Sequence, residues 1–280
     1  MADRELLQID LHAILRGRLP KKTGKFIPDF FISWLAGLIR QNELNEILRV
    51  TYPNTGSKFS RKVLEHLGIT LKVEGFDKLP SDKRYMFASN HPLGGLDGIA
   101  LISILGERYG DENIRFLVND LLLNVTPLKE IFLPINKFGK QGRSASIAIN
   151  EALASSKQIL QFPAGLCSRL GKNGEIADLE WQKSFVAKAI ETHRDIVPVY
   201  FTGRNSSKFY KTARMRKRLG IKFNVEQILL PSEICKAKGK DFSIIFGTPI
   251  SWETLKESGK PAKRLAAEIR EKVYSLPLEG

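Results

Sequence analysis

His91, one of only four histidines in the 280-residue chain, stands in "ASNHPLGGLDG", residues 88–98, with Asp97 six positions later and three glycines close by. A six-residue gap fits no helical face, yet Gly94 and Gly95 give the turn enough freedom to fold the aspartate back beneath the imidazole. An aspartate that accepts from one ring nitrogen fixes the tautomer and steadies the imidazolium while the other nitrogen takes a proton. His91 and Asp97 therefore read as a general base and its orienting acid, an arrangement worth roughly 10²–10⁴ in rate. The competing reading is a capped turn whose glycines serve the backbone alone.

The pair needs a frame. From residue 69 onward, strand-length apolar runs alternate with helix-length periodic segments. "ITLKVEG", "RYMFASN", "IRFLVN", "EIFLPIN", "QILQFPAG" and "DIVPVYFTG" read as strands, and 97–107, 143–155 and 181–193 as helices. That alternation predicts an α/β fold with a largely parallel central sheet flanked by helices. In such sheets ligands lie beyond the carboxyl ends of the strands. "NHPLGGLDG", "FPAG" and "FTGRNS" each follow a strand end, so they are expected to converge on one edge. The preceding residues are helical: Asp29 is placed to cap an amphipathic helix through Phe30, Phe31, Trp34, Leu35 and Leu38, and a second helix runs through Leu44, Ile47 and Leu48. A third starts at Ser60 and stops at Gly68. The chain thus divides into an N-terminal helical, membrane-interacting region, 1–67, and an α/β domain, 68–280.

Composition narrows the function further. Lys and Arg total 44 against 30 Asp and Glu, a formal charge of +14 that favours anionic partners. The two cysteines, Cys167 and Cys235, sit in no CxxC, and with no HExxH neither a disulfide framework nor a zinc site is indicated. No metal or cofactor is expected. GxGxxG, Walker and GxSxG patterns are absent from the sequence, which removes the residues that nucleotide-binding and serine-hydrolase readings require. The start of the chain lacks the basic and apolar regions of a signal peptide. "FFISWLAGLI", 30–39, is about half the ~20 apolar residues of a spanning helix; with Lys21, Lys22, Lys25, Phe26 and Ile27 upstream it suits an interfacial helix, or else the buried face of an ordinary one. The stretch 204–222 holds eight Lys or Arg, no acid, and Phe209, Tyr210 and Met215 between them. It reads as a solvated face, or as a surface for an anionic leaflet or an acidic carrier protein. Nucleic acid is not expected as a partner, because no helix-turn-helix, zinc-finger or RNA-recognition signature accompanies the basic stretch.

Four ordered blocks over about 70–205 resemble the lysophospholipid acyltransferase superfamily of glycerolipid acyltransferases: Asn90-His91-"PLGGL"-Asp97, "IFLPINKFGKQGR" (131–143), "FPAGLCSR" (162–169) and "IVPVYF" (196–201). The departures are specific. Five residues, not four, separate His91 from Asp97; Ala164, Leu166 and Cys167 stand where the family has Glu, Thr and Arg; Asn136 or Lys137 falls where an Arg is usual. Those charged residues are associated in the family with an acceptor phosphate, so their loss argues against a lysophosphatidate acceptor. "FPAG" with Ser168-Arg169, together with "VYFTGRNS", looks more like the hemolysin-like, ornithine-lipid or glycine-lipid branch, whose members esterify the 3-hydroxyl of an N-acylated amino acid.

The resemblance implies that His91 deprotonates the acceptor hydroxyl as it attacks an acyl thioester carried by acyl carrier protein or coenzyme A, with backbone N–H groups on the oxyanion. The alternative acceptor is 1-acylglycerol-3-phosphate. The substrate-binding set it implies is Asn90, Gly94 and Gly95 from the first block; Asn136, Lys137 and Arg143 from the second; Phe162, Pro163, Gly165, Ser168 and Arg169 from the third; and Arg204. Arg169, Arg143 or Arg204 is placed to meet a carboxylate head group, each with the competing reading of a solvated arginine. Cys167 is conceivable as an acyl-carrying nucleophile, but with no activating base in view it reads better as a small packing residue. The implied location is peripheral, on the cytoplasmic side of the cell membrane, where the lyso-lipid and an anionic surface are found.

Overall fold

All five residues of β2 (Tyr85–Ser89) are buried, as a strand covered on both faces must be. Its side chains alternate between two cores: Tyr85 and Phe87 enter one cluster, Met86 and Ala88 the other. The computed structural model describes residues 8–18, 28–119, 122, 125–135, 142–171 and 173–278. Around β2 it builds a seven-stranded sheet in the order β1-β9-β8-β2-β5-β3-β4, with β1 Thr70–Glu74, β3 Ile114–Asn119, β4 Phe132–Ile135, β5 Gln158–Gln161, β8 Asp195–Phe201 and β9 Asp241–Phe246. β8 and β9 pair antiparallel; every other pairing in this sheet is parallel. β6 (Arg169–Leu170) and β7 (Ile176–Ala177) form a separate antiparallel hairpin.

The helices cover both faces. α1 (Leu11–Arg18), α2 (Asp29–Leu38), α3 (Gln41–Thr51) and α4 (Gly56–His66) precede the sheet, and α5 (Leu96–Tyr109) follows β2. Phe59, Val63 and Leu64 of α4 share a core with Leu101, Ile102 and Leu105 of α5. The opposite core is built by α6 (Arg143–Ala154), α7 (Ser184–Glu191), α10 (Trp252–Glu257) and α11 (Ala262–Ser275), the last through Leu265, Ile269 and Val273. α8 (Ser207–Arg218) and α9 (Leu230–Lys236) lie between β8 and β9 in sequence.

The six strands and three later helices expected from periodicity are present. Two cap assignments are corrected. α4 begins a turn before Ser60, with Thr55 as its N-cap, and Ser60 is a fully buried residue of the helix; Gly68, at φ +60°, follows its end as expected. Pro28, not Asp29, is the N-cap of α2, and Asp29 sits in the first turn, where its carboxylate pairs with Arg16.

Among the described residues Arg194 is the largest fully buried side chain, and burial lowers its pKa to about 10. Its guanidinium donates to the carbonyls of Leu153 (2.9 Å), Ala152 (3.2 Å), Ser155 (2.6 Å), Lys157 (2.6 Å) and Tyr85 (3.3 Å). A cation at the carboxyl end of α6 satisfies carbonyls that a helix leaves without intrahelical partners and suits the helix dipole. Arg194→Met, similar in length but without donors, is expected to destabilise the fold by about 3 kcal/mol or more through buried acceptors left unpaired. A shift in the urea midpoint at unchanged slope measures it.

Candidate active site

β2 delivers the chain to the site, and Asn90 is the first residue past its end. The Asn90 side chain continues the sheet: Nδ2 donates to the Phe201 carbonyl at 2.9 Å and Oδ1 accepts from the Phe201 N–H at 2.7 Å. Both ends of this buried amide are engaged by β8, so Asn90 clamps the start of the turn rather than facing outward.

The turn then doubles back. His91 Nδ1 lies 2.9 Å from Asp97 Oδ2, and the same oxygen accepts from the N–H groups of Leu93 (2.9 Å) and Gly94 (3.2 Å). Oδ1 accepts from Gly98 N–H at 2.9 Å. Burial pushes the fully buried Asp97 carboxyl up, but the neighbouring His91 charge, its hydrogen bond and the backbone donors outweigh that penalty and hold the group below the usual aspartate value. A carboxylate on Nδ1 leaves Nε2 as the proton-accepting nitrogen. The gap of five residues is absorbed by Gly94, whose φ of +77° is strained for other residues and whose absent Cβ would lie 2.7 Å from Leu230 Cδ2. Gly95 is the N-cap of α5, and Asp97 stands in its first turn.

The third block meets the first. Phe162 stacks on the imidazole, with centroids 3.8 Å apart and planes 17° from parallel. The Pro163 carbonyl accepts from Gln182 N–H at 3.0 Å, and Gly165, at φ +65°, closes a turn with its N–H on the Phe162 carbonyl at 2.9 Å. The N–H of Ser168 donates to the His91 carbonyl at 2.7 Å. Convergence of the first, third and fourth segments on one sheet edge is thereby seen in the hydrogen bonds themselves. It also removes several oxyanion-donor candidates: the N–H groups of Leu93, Gly94, Gly165 and Ser168 all have internal acceptors.

Asp178 is a residue that sequence reasoning missed. It is buried beneath the site and accepts from the His91 N–H (3.1 Å), the Ser168 hydroxyl (2.6 Å) and Trp181 Nε1 (2.9 Å). Its own N–H donates to the Tyr274 hydroxyl at 2.8 Å, and its carbonyl accepts from Arg270 at 2.7 Å. Burial raises its pKa despite these donors. No motif marks an acid in "EIADLEW"; it is identified by its partners alone.

The remaining candidates separate. Ser168 is buried and tied to Asp178. Arg169 donates to Glu226 (2.9 Å) and to the Cys167 carbonyl (2.7 Å), and its guanidinium lies over Phe209. It is thus an internal clamp, already paired with a carboxylate. Cys167 is buried, with its thiol pushed up to about 11 by desolvation. It is neutral near pH 7, which is the state of a packing residue rather than of an activated nucleophile. Arg143 is exposed at the start of α6. Arg204 is exposed and lines a small cleft with Leu93, in the His91 turn, and Leu96, the first residue of α5. Asn136 and Lys137 lie outside the described residues, as do Lys21, Lys22, Lys25, Phe26 and Ile27. Among the described residues no cluster of metal-ligating side chains is found.

Residues 14–278 match the family model described as Acyltransferase. The lyso-glycine lipid O-acyltransferase of Phocaeicola vulgatus is 44% identical over 276 residues, covering 99% of this chain and 98% of the relative. The lyso-glycine lipid O-acyltransferase of Bacteroides thetaiotaomicron is 43% identical over 276 residues, covering 99% of this chain and 100% of the relative. Among solved structures, the 1-acyl-sn-glycerophosphate (LPA) acyltransferase PlsC from Thermotoga maritima aligns with 89% of this chain and 92% of its own at 16% identity, with a TM-score of 0.46.

Proposed function

Since the chain belongs to this acyltransferase family and is an enzyme of that kind, we propose that its acceptor is the hydroxyl of a lyso-glycine lipid and its donor an acyl thioester on acyl carrier protein or coenzyme A. The observation that carries the chemistry is the His91 imidazole held on a buried Asp97 carboxylate, with its ring still partly open to solvent. His91 Nε2 takes the proton of the acceptor hydroxyl as that oxygen attacks the thioester carbonyl. Collapse of the tetrahedral adduct breaks the C–S bond, and the imidazolium returns the proton to the departing thiolate. The products are an ester and a free thiol, and no enzyme nucleophile is acylated.

The acceptor assignment is supported by the two relatives, whose identity extends over nearly the whole chain. It is also supported by Ala164, Leu166 and Cys167 at the positions where phosphate-associated residues were expected. With Arg169 held by Glu226, Arg204 is the group we assign to the acceptor carboxylate, at the rim of the cleft formed with Leu93 and Leu96. An acidic donor suits a chain of net charge +14. Among the described residues no helix is long and apolar enough to cross a membrane, and we place the enzyme peripherally on the cytoplasmic face. There α2, with Phe30 75% and Trp34 58% exposed, would lie in the interface.

The test is transfer of labelled acyl groups from acyl carrier protein and from coenzyme A to lyso-glycine lipid and, in parallel, to lysophosphatidate. Lyso-glycine lipid is expected to be the better acceptor by kcat/KM. Arg204→Gln is expected to raise KM for it about tenfold or more, the loss of one charge-assisted hydrogen bond. Preference for lysophosphatidate would overturn the acceptor assignment.

A further inference from the structure

α8 ends in a built tip. Gly220, at φ +67°, closes the helix with its N–H on the Lys217 carbonyl (3.2 Å), and Ile221 N–H returns to the Arg216 carbonyl (3.2 Å). Arg216 Nη1 also holds the Ile221 carbonyl at 2.9 Å. This closure keeps large apolar side chains in water: Met215 is 59%, Leu219 68% and Phe223 63% exposed. Met215 and Leu219, four residues apart, share one face of the helix. Exposed Lys211, Arg214, Lys217, Arg218 and Lys222 surround them. The acids packed against α8 do not neutralise this surface. Glu226 is buried and faces Arg169 and Arg216, each at 2.9 Å, while Glu233 is buried and engaged by Ser206 (2.6 Å) and Lys236 (2.6 Å).

We propose that the α8 tip, Met215 to Phe223, is a second membrane contact that docks on an anionic lipid leaflet. Exposed apolar groups interleaved along the chain with bases of one sign match a headgroup layer: the bases meet lipid phosphates, and the apolar groups enter the acyl boundary. The inference rests on the reading that the acceptor is a lipid, and adds to it how the site meets that lipid. The tip is joined to the active site at both ends of α8. At its start, Asn205 Nδ2 donates to the Pro92 carbonyl at 3.4 Å, in the His91 turn. Near its end, the Arg216–Glu226–Arg169 chain leads to the "FPAGLCSR" block. Docking of the tip therefore orients the site relative to the bilayer instead of only tethering the chain.

The experiment uses the full chain with phosphatidylcholine vesicles, with and without phosphatidylglycerol. In one variant Lys217, Arg218 and Lys222 become Gln. Each base near an anionic surface is worth about fivefold in partitioning, so this variant is expected to lose roughly 10²-fold of its affinity for phosphatidylglycerol vesicles and little for phosphatidylcholine alone. A second variant, Leu219→Cys, carries a polarity-sensitive thiol dye, which is directed there because Cys167 and Cys235 are buried. Its emission is expected to shift to the blue on phosphatidylglycerol vesicles. Wild-type sedimentation of the triple variant, or an unshifted dye, overturns the proposal. A triple variant that keeps vesicle binding but loses affinity for acyl carrier protein overturns it in favour of a protein partner. Turnover on detergent-dispersed lyso-glycine lipid separates the two readings: its absence in wild type defeats the acceptor assignment and leaves the vesicle result standing.

Discussion

His91→Ala is expected to lower kcat for acyl transfer by about 10²–10⁴-fold while leaving the chain folded. The loss falls on kcat because a general base acts as the hydroxyl proton leaves, not when the lipid binds. The fold should survive because the turn has other ties. Asp97 keeps its bonds from Leu93, Gly94 and Gly98, Asp178 still holds the backbone N–H of residue 91, and Asn90 remains clamped to Phe201. The stack on Phe162 is lost, a matter of about 0.5–1.5 kcal/mol. Single-turnover transfer beside a urea melt checks both statements. A folded variant that retains wild-type turnover removes His91 from the mechanism.

How far the sequence exposed this site differs by residue. The frame around it was legible because β2, β5 and β8 are apolar runs ending in glycine-rich or proline-containing segments, a pattern that survives without knowledge of packing. β9 is not legible in this way: "DFSIIF" alternates only at its start, and its antiparallel pairing to β8 is a long-range choice that periodicity does not encode. The His91–Asp97 pair was legible because six residues and two glycines confine it to one turn. Asp178 was not, because it is 87 residues from His91 and reaches the site through a two-stranded hairpin. Arg169 shows the opposite error of reading a motif position without its partner. The sequence places an arginine beside the expected head group, whereas Glu226, 57 residues later, occupies its guanidinium. Chemistry carried by neighbours in the chain is visible to spacing arguments; chemistry decided by a distant counter-charge becomes visible when the fold joins the two.

Asp97→Asn is expected to reduce kcat by about 10²–10³-fold, the scale of losing one preorganised electrostatic group. The environment decides how the new amide sits. Three donors, His91 Nδ1–H, Leu93 N–H and Gly94 N–H, meet at the Oδ2 position, and a single donor, Gly98 N–H, meets Oδ1. The carboxamide oxygen therefore takes the three-donor side, and its NH₂ group is turned against the Gly98 N–H. In that orientation the His91 tautomer is preserved and Nε2 stays available as the base. What disappears is the negative charge that stabilises the imidazolium as it forms, so binding of the acceptor should be little changed while turnover falls. The buried donor-against-donor contact at Gly98 adds a stability cost of about 1–3 kcal/mol. The wild-type carboxylate adds a pH-dependent contribution. The folded Asp97 carboxyl titrates below its unfolded value of about 3.9, so its contribution is fully present above that pH and is lost as pH falls through the folded value. The stability gap between wild type and Asp97→Asn should accordingly be constant near neutrality and narrow in acid. Urea melts across that range, with kcat and KM measured separately at neutral pH, read both effects. Full turnover in a folded Asp97→Asn variant would reduce Asp97 to a tie for the turn.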